Sequence, residues 1–211
     1  MLPVSNVVDF WFDPICPWCW ITSRWIGEVE KVRDIEVRWH VFSLATINEG
    51  RELEPSYRKF MDNTWGPARV AQAVAEQYPE QLKHFYDVLG NEIHHRENTS
   101  PGDKYLPAIE QALASAGLPA ELLERALNDE SAPGLATSIA AAQELVGNDV
   151  GVPIIAFNGV GFFGPVISPS PAGEEAGKLF DAAVTLAHYP GFFELKRTRT
   201  VGPIFHGEDQ K

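Results

Sequence analysis

The 211-residue chain is poor in cysteine, in positive charge and in long apolar runs, and each shortage narrows what it can be. Its two cysteines cannot build the disulfide framework of a small secreted domain. With 17 lysines and arginines against 29 aspartates and glutamates, the formal net charge is −12. No basic face is expected, which argues against nucleic acid or an anionic membrane surface as partner. No apolar stretch approaches the roughly 20 residues of a membrane span. Residues 1–6 carry neither a basic nor an apolar leader segment. A cytoplasmic protein is expected.

Motifs of several other chemistries are also missing. There is no H-E-x-x-H, no G-x-S-x-G and no phosphate-binding loop. The six histidines include one close pair, His94-His95, and sequence neighbours point apart on a helix, so no metal site is expected. Gly159-Val160-Gly161-Phe162-Phe163-Gly164 matches a dinucleotide-binding pattern in letters only, because Pro165 follows where a helix should open. No flavin or nicotinamide motif remains, and no bound cofactor is expected. Asn98-Thr99-Ser100 is a glycosylation sequon, without meaning unless the chain is secreted.

What is present centres on Cys16-Pro17-Trp18-Cys19. The motif joins an apolar run, residues 7–12, to a helix-like stretch from Pro17 to about Lys31. Strand, short turn, then C-x-x-C opening a helix is the setting in which this spacing reads as a redox dithiol. A sulfur at a helix N-terminus faces unpaired N–H groups and the positive end of the macrodipole, and both favour thiolate over thiol. The second cysteine, one turn later, can close a disulfide with the first. Pro17 suits a first helical turn, where its missing N–H costs nothing. Two buried packing cysteines, or half of a zinc site, are the plain alternatives.

With 45% hydrophobic and 22% charged residues the chain should bury a sizeable core. Residues 7–12 read as a buried strand, ended by Asp13-Pro14. Ile21, Trp25, Val29 and Val32 make one apolar helical stripe. Residues 35–42 alternate, with Ile35, Val37, Trp39 and Val41 on one face and Glu36, Arg38 and His40 on the other, which predicts a half-buried strand parallel to the first. His40 is read as exposed or hydrogen-bonded. Residues 56–77, 79–95, 104–116, 119–128 and 132–146 read as four or five helices, separated by breakers such as Gly66-Pro67, Pro79, Pro101-Gly102, Gly117 and Pro133-Gly134. Strand character returns at 152–157. Asn158-Gly159 is suited to a type I′ turn, and 160–163 supplies a partner strand. Ser170-Pro171 reads as an N-cap and first-turn proline for a last helix with Glu174 and Glu175 near its start, and Ala176, Leu179, Phe180, Ala183, Val184 and Ala187 on its apolar face. An irregular tail follows with a basic cluster, Lys196-Arg197-Thr198-Arg199.

The order β-α-β, helices, β-β-α describes an α/β, thioredoxin-like fold with an inserted α-helical subdomain. Residues 1–53 and 148–211 would form the core and 54–147 the insertion. In such a fold the strand after the insertion begins with a cis-proline beside the C-x-x-C, and Val152-Pro153 is the candidate; an ordinary trans proline at a strand start is the alternative.

Asp13-Pro14-Ile15-Cys16-Pro17-Trp18-Cys19-Trp20 together with Gly151-Val152-Pro153 resembles the DsbA-like branch of the thioredoxin superfamily. The match is closest to the actinobacterial mycothiol-dependent nitroreductases, or DsbA-like mycoredoxins. Trp20-Ile21-Thr22-Ser23-Arg24-Trp25, Phe162-Phe163-Gly164-Pro165 and Phe192-Phe193-Glu194-Leu195-Lys196-Arg197-Thr198-Arg199-Thr200 extend it over nearly the whole chain. The resemblance implies a cytosolic reductase whose dithiol is recharged by mycothiol as thiol co-substrate and which reduces nitroaromatic compounds. It implies Cys16 as nucleophile, Cys19 as resolving cysteine and Pro153 as the substrate-facing cis-proline, with Pro17, Trp18 and Val152 beside them. Asn48 and Tyr57 match family positions lining the pocket; a loop amide and a helix-packing tyrosine are the alternatives. An acid on the strand before the motif often serves this superfamily as proton acceptor, but Asp9 lies one residue further from Cys16 than that role requires.

The expected partners are a low-molecular-weight thiol and a small-molecule electrophile or disulfide; a homodimer is left open by the sequence. Chemically, the Cys16 thiolate attacks and Cys19 resolves the adduct, so two electrons leave per cycle and an outside thiol returns them. A relative of glutathione transferase kappa or of 2-hydroxychromene-2-carboxylate isomerase, with no net redox change, is one alternative. A protein disulfide oxidoreductase of FrnE type and a non-catalytic thiol sensor are others.

Overall fold

Val7–Phe12 (β1) is extended because its β-branched and aromatic residues fit a strand buried on both sides. A computed structural model describes residues 7–96, 103–128 and 133–205. The sequon Asn98-Thr99-Ser100, the breaker Pro101-Gly102, Ala132 and residues 1–6 lie outside them. Pro17–Val29 (α1) follows β1, and Glu36–Val41 (β2) returns parallel to it, Val7 opposite Glu36 and Phe12 opposite Val41. Leu44–Ile47 (α2), Pro55–Asp62 (α3), Trp65–Gln77 (α4), Leu82–His94 (α5), Leu106–Ser115 (α6), Glu124–Leu127 (α7) and Pro133–Val146 (α8) come next. Ile154–Phe157 (β3) pairs antiparallel with β1, and Val160–Phe163 (β4) antiparallel with β3. Gly173–Ala187 (α9) is last. The sheet order is β2-β1-β3-β4, so the strand feeding the dithiol is central.

The alternation expected for β2 is present. Trp39 meets Phe10 and Phe12 edge-on at 5.2 and 6.0 Å. On the other face His40 stacks over Trp11 at 4.5 Å and bonds Asp9 at 2.7 Å. Helix α8 covers that second face: the Ser138 hydroxyl donates to the Val41 carbonyl at 2.7 Å, and Trp11 Nε1 donates to the Ser138 carbonyl at 3.2 Å. Helices α1 and α9 are joined by Trp25, whose Nε1 donates to the Ala176 carbonyl at 3.1 Å. Asn158 and Gly159 both have positive φ, 50° and 81°, as a type I′ turn requires.

Four local expectations need correction. The stretch 56–77 is two helices, because the side chains of Asn63 and Thr64 donate to the Lys59 and Met61 carbonyls at 2.7 and 2.9 Å and close α3. Gly66-Pro67 is no breaker. It lies in the first turn of α4, where proline is tolerated, and a Cβ on Gly66 would meet Ala126 Cβ at 3.1 Å. The stretches 79–95 and 119–128 each open with a 3₁₀ turn before α5 and α7, and the division of 56–77 makes the described α-helices of 54–147 six rather than four or five. Ser170 does not cap the last helix. The cap position is Ala172, and the Gly173 N–H donates instead to the Glu28 carboxylate of α1 at 3.2 Å. Among the described residues no helix is long and apolar enough to cross a membrane.

Candidate active site

Cys16 is the N-cap of α1, Pro17 its first residue, and Cys19 lies in its first turn, so both sulfurs sit where the helix leaves N–H groups unpaired. Both are free thiols; Cys16 is 5% exposed and Cys19 is fully buried. Across from them the Val152–Pro153 peptide bond is cis. The Val152 carbonyl accepts from the Cys16 thiol at 3.8 Å. The next carbonyl, that of Pro153, accepts the Gly164 N–H at 2.7 Å, and the Pro165 carbonyl accepts the Thr22 hydroxyl at 2.8 Å. The Phe162-Phe163-Gly164-Pro165 segment, which ends β4 and leaves it, thus ties the proline loop back to the dithiol helix.

The two thiols are unequal. The Cys19 thiol donates a hydrogen bond that holds Cys16 below the ordinary thiol range, against burial and the nearby Asp13 charge, while the Cys19 and Trp18 N–H groups add to the lowering. Burial pushes Cys19 well above that range, and its bond to Cys16 and the Cys16 charge push it further. Proton affinity is therefore concentrated on the inner sulfur and nucleophilicity on the outer one.

Asp13, which the sequence reading used only as a strand terminator and as part of a family motif, is 1% exposed. Its carboxylate accepts the Ile15 N–H at 3.0 Å and the Leu44 N–H at 2.6 Å, and its carbonyl accepts the Cys16 N–H at 3.0 Å. Burial pushes the carboxyl up to about 7, with the Leu44 and Ile15 N–H groups opposing. Asp9 is spent elsewhere, pairing with Arg38 at 3.0 Å and His40 at 2.7 Å. The acid within electrostatic reach of both cysteines is Asp13.

The histidine pair, read from sequence only as a failed zinc site, braces the motif. His94 Nε2 meets the Pro14 carbonyl at 3.0 Å, and burial lowers its pKa to about 4, so it is a neutral donor there. His95 Nε2 accepts from Trp20 Nε1 at 2.9 Å. That both histidines flank Trp20 is a contact between α5 and α1 with no signal in the sequence.

Trp18 is half-buried, and the Arg199 guanidinium of the tail lies 5.0 Å from its ring centroid. Tyr57, from α3, is half-exposed; burial raises its phenol, and the Cys16 and Asp13 charges raise it further. Asn48, the C-cap of α2, uses its amide to donate to the Leu44 carbonyl at 2.9 Å. Tyr105, not foreseen, is also near Asp13, at left-handed φ of 66° and buried, which pushes its phenol up to about 12. A groove of about 460 Å³ bounded by Trp20, Arg24, Lys83 and Phe205 reaches neither cysteine. Among the described residues no group of three His, Cys, Asp or Glu side chains is arranged to hold a metal.

A four-stranded sheet with a dithiol at the start of its first helix and a cis-proline opposite defines a thioredoxin-like fold of DsbA type. Solved structures with that fold are similar in shape. A probable DsbA oxidoreductase, SCO1869, of Streptomyces coelicolor covers 92% of this chain and 94% of its own at 16% identity, with a TM-score of 0.53. The cytosolic disulfide reductase DsbM of Pseudomonas aeruginosa, with GSH, covers 85% and 99% at 16% identity, with a TM-score of 0.51. At such identities these likenesses speak for the fold alone. The family model described as mycothiol-dependent nitroreductase Rv2466c matches residues 15–197. An uncharacterized protein of Mycobacterium tuberculosis, Rv2286c, is 30% identical over 202 residues, 94% of this chain and 85% of that one. The chain belongs to the Rv2466c-like family of mycothiol-dependent nitroreductases, and it is an oxidoreductase.

Proposed function

We propose that this protein reduces small electrophiles, nitroaromatic compounds and low-molecular-weight disulfides among them, with the Cys16-Cys19 dithiol, and that mycothiol returns the electrons. The observation that carries the reading is the asymmetry of the pair: a lowered Cys16 at a helix N-terminus, a raised Cys19 behind it and a buried acid within reach of both.

With a disulfide substrate the Cys16 thiolate attacks one sulfur, a mixed disulfide forms and the other thiolate leaves. Cys19 then gives its proton to the Asp13 carboxylate and attacks Cys16 Sγ, which releases the second thiolate and leaves a Cys16–Cys19 disulfide. With a nitro group the same two electrons and two protons convert it to a nitroso group, and one oxygen leaves as water. Two mycothiol thiols then reduce the protein disulfide, one through a mixed disulfide on Cys16 and the second by displacing it. Pro17 sets the helix start. The Val152 carbonyl and Pro153 face the bound substrate, and Trp18, Tyr57 and Asn48 wall the pocket. We read residues 54–147 as a helical subdomain inserted into a core of residues 1–53 and 148–211, and we assign the reaction to the cytoplasm, where a dithiol of this kind stays reduced.

The test is turnover of the pure protein with mycothiol or glutathione as sole electron donor, combined with trapping in Cys19→Ser. Mycothiol should support turnover, and mass spectrometry of the variant after incubation with oxidised mycothiol should find one adduct, on Cys16. Nitro reduction that survives in Cys19→Ser would sink the dithiol mechanism, and so would an adduct on Cys19 in the wild type. The isomerase alternative is separated by the same variant, because an isomerase tolerates loss of the second cysteine.

A further inference from the structure

The tail after α9 is held at intervals along the molecule. Phe192 packs on Phe162 at 5.8 Å. The Ser168 hydroxyl donates to the Gly202 carbonyl at 2.9 Å and accepts the Ile204 N–H at 2.8 Å. Phe205 ends against His94 and His95, 5.6 and 5.4 Å between centroids. Between the first anchor and the second, Arg199 meets Trp18, the residue between the two active-site cysteines. Its position is therefore set by the fold on both sides.

The chain as a whole carries −12, and several of its cations are neutralised locally. Arg33 is forked onto Glu174 and Asp181, Arg24 and Lys83 share Asp87, and Arg58 pairs with Asp62. Among the described residues no carboxylate pairs with Arg199, and Lys196 and Arg197 of the same tail add charge of the same sign. Arg199 is exposed and stands beside an indole ring that can stack an aromatic acceptor.

We propose that Arg199 is a specificity-determining residue that favours acceptors carrying a carboxylate or another anionic group beside their electrophilic centre. The ring of such a substrate lies against Trp18, its anionic group meets the guanidinium, and its electrophilic atom meets Cys16. Without Arg199 the buried acid Asp13 and the acidic surface would repel it. The assignment rests on the dithiol reading of the site, not on which compound is reduced.

The first experiment reads Cys16 directly. Alkylation by iodoacetate, an anion, is compared with alkylation by neutral iodoacetamide, with Cys16 identified by mass spectrometry, in wild type, Arg199→Lys, Arg199→Ala and Arg199→Glu. The ratio of the two rates should fall about three- to tenfold in Arg199→Ala, the range for one screened charge at a few ångströms. It should fall further in Arg199→Glu, stay near wild type in Arg199→Lys, and lose its dependence on the variant at high salt. The iodoacetamide rate carries any change in the Cys16 thiolate itself, so the ratio isolates the charge of the reagent. An unchanged ratio in Arg199→Glu overturns the proposal. The second experiment uses 4-nitrobenzoate and 4-nitrobenzyl alcohol with mycothiol: Arg199→Glu should raise KM for the first only. If the wild type reduces neither compound, the nitroreductase reading fails while the alkylation ratio still decides the role of Arg199. If it reduces both and Arg199→Glu alters both equally or neither, the role of Arg199 fails and that reading stands.

Discussion

The Asp13 carboxylate accepts the Leu44 N–H at 2.6 Å, so one buried acid joins the dithiol loop to the first turn after β2. That position makes stability depend on pH. In the folded chain the carboxyl is pushed up to about 7 from an ordinary 3.8. Between those values the folded state holds a proton that the unfolded state has released, so this group's contribution to stability falls as pH rises from about 4 to about 7. The ceiling is roughly 4 kcal/mol. The lowered carboxyls of Glu28, Glu54, Glu174 and Asp181 work in the opposite direction, so the difference between wild type and Asp13→Asn is the quantity to read. Urea unfolding at about pH 4.5, 6 and 7.5 should find wild type losing ground to the variant as pH rises. A constant difference would mean that Asp13 does not carry the burial cost.

Alkylation against pH should give Cys16 an inflection below the ~8.5 of a free thiol, and Cys19 should stay unmodified until the chain is unfolded. Cys19→Ala removes the thiol that is the first cause of the lowering, so the Cys16 inflection should move upward in that variant. An inflection at the same pH in both proteins would assign the lowering to the helix N–H groups alone.

Gly90 of α5 has no room for a side chain, since a Cβ there would stand 2.3 Å from two atoms of the Trp20 ring. Gly90→Ala should cost about 1–3 kcal/mol or more through overpacking. It should also break the Trp20–His95 bond, visible as a loss of near-ultraviolet circular dichroism. Wild-type unfolding midpoints in the variant would show that Trp20 has an unobserved alternative position.

Thr22 is fully buried and its hydroxyl is donated to the Pro165 carbonyl. Thr22→Val keeps the shape and orphans that carbonyl, for about 1–3 kcal/mol. Thr22→Ser should recover most of it. Equal losses in both variants would point to packing of the methyl group instead.

Much of this was legible beforehand because the signals were local or periodic. Cys16-Pro17-Trp18-Cys19 at a strand–helix junction, the alternation of β2, the Asn158-Gly159 turn and the cis bond before Pro153 are each written in a few consecutive residues or in the order of elements. The family was legible for the same reason. What escaped depends on distance. A four-residue helix such as Leu44–Ile47 is barely one helical period and shows no repeat, and beyond its local Ser43 cap its first N–H is taken by Asp13, 31 residues earlier. Ser170-Pro171 has the letters of a cap, but Glu28 reached the Gly173 N–H from another helix. Asp13 and Asp9 look alike on paper; burial separates them, and burial is decided by what α2 lays over one and what β2 pairs with the other. Arg199 over Trp18 joins residues that no sequence period relates.

The nucleophile and the carbonyl opposite it hang from β1 and β3, adjacent strands in one hydrogen-bonded ladder. In the proposed reaction the walls of the pocket come from elsewhere: Tyr57 from a helix between β2 and β3, Asn48 from the end of a one-turn helix, Arg199 from an irregular tail. On that proposal, electron transfer is built into the most constrained part of the chain and ligand choice into the least. Descendants of this architecture can exchange acceptors by drift in walls and tail at little risk to folding, while any change in the ladder disables every acceptor at once.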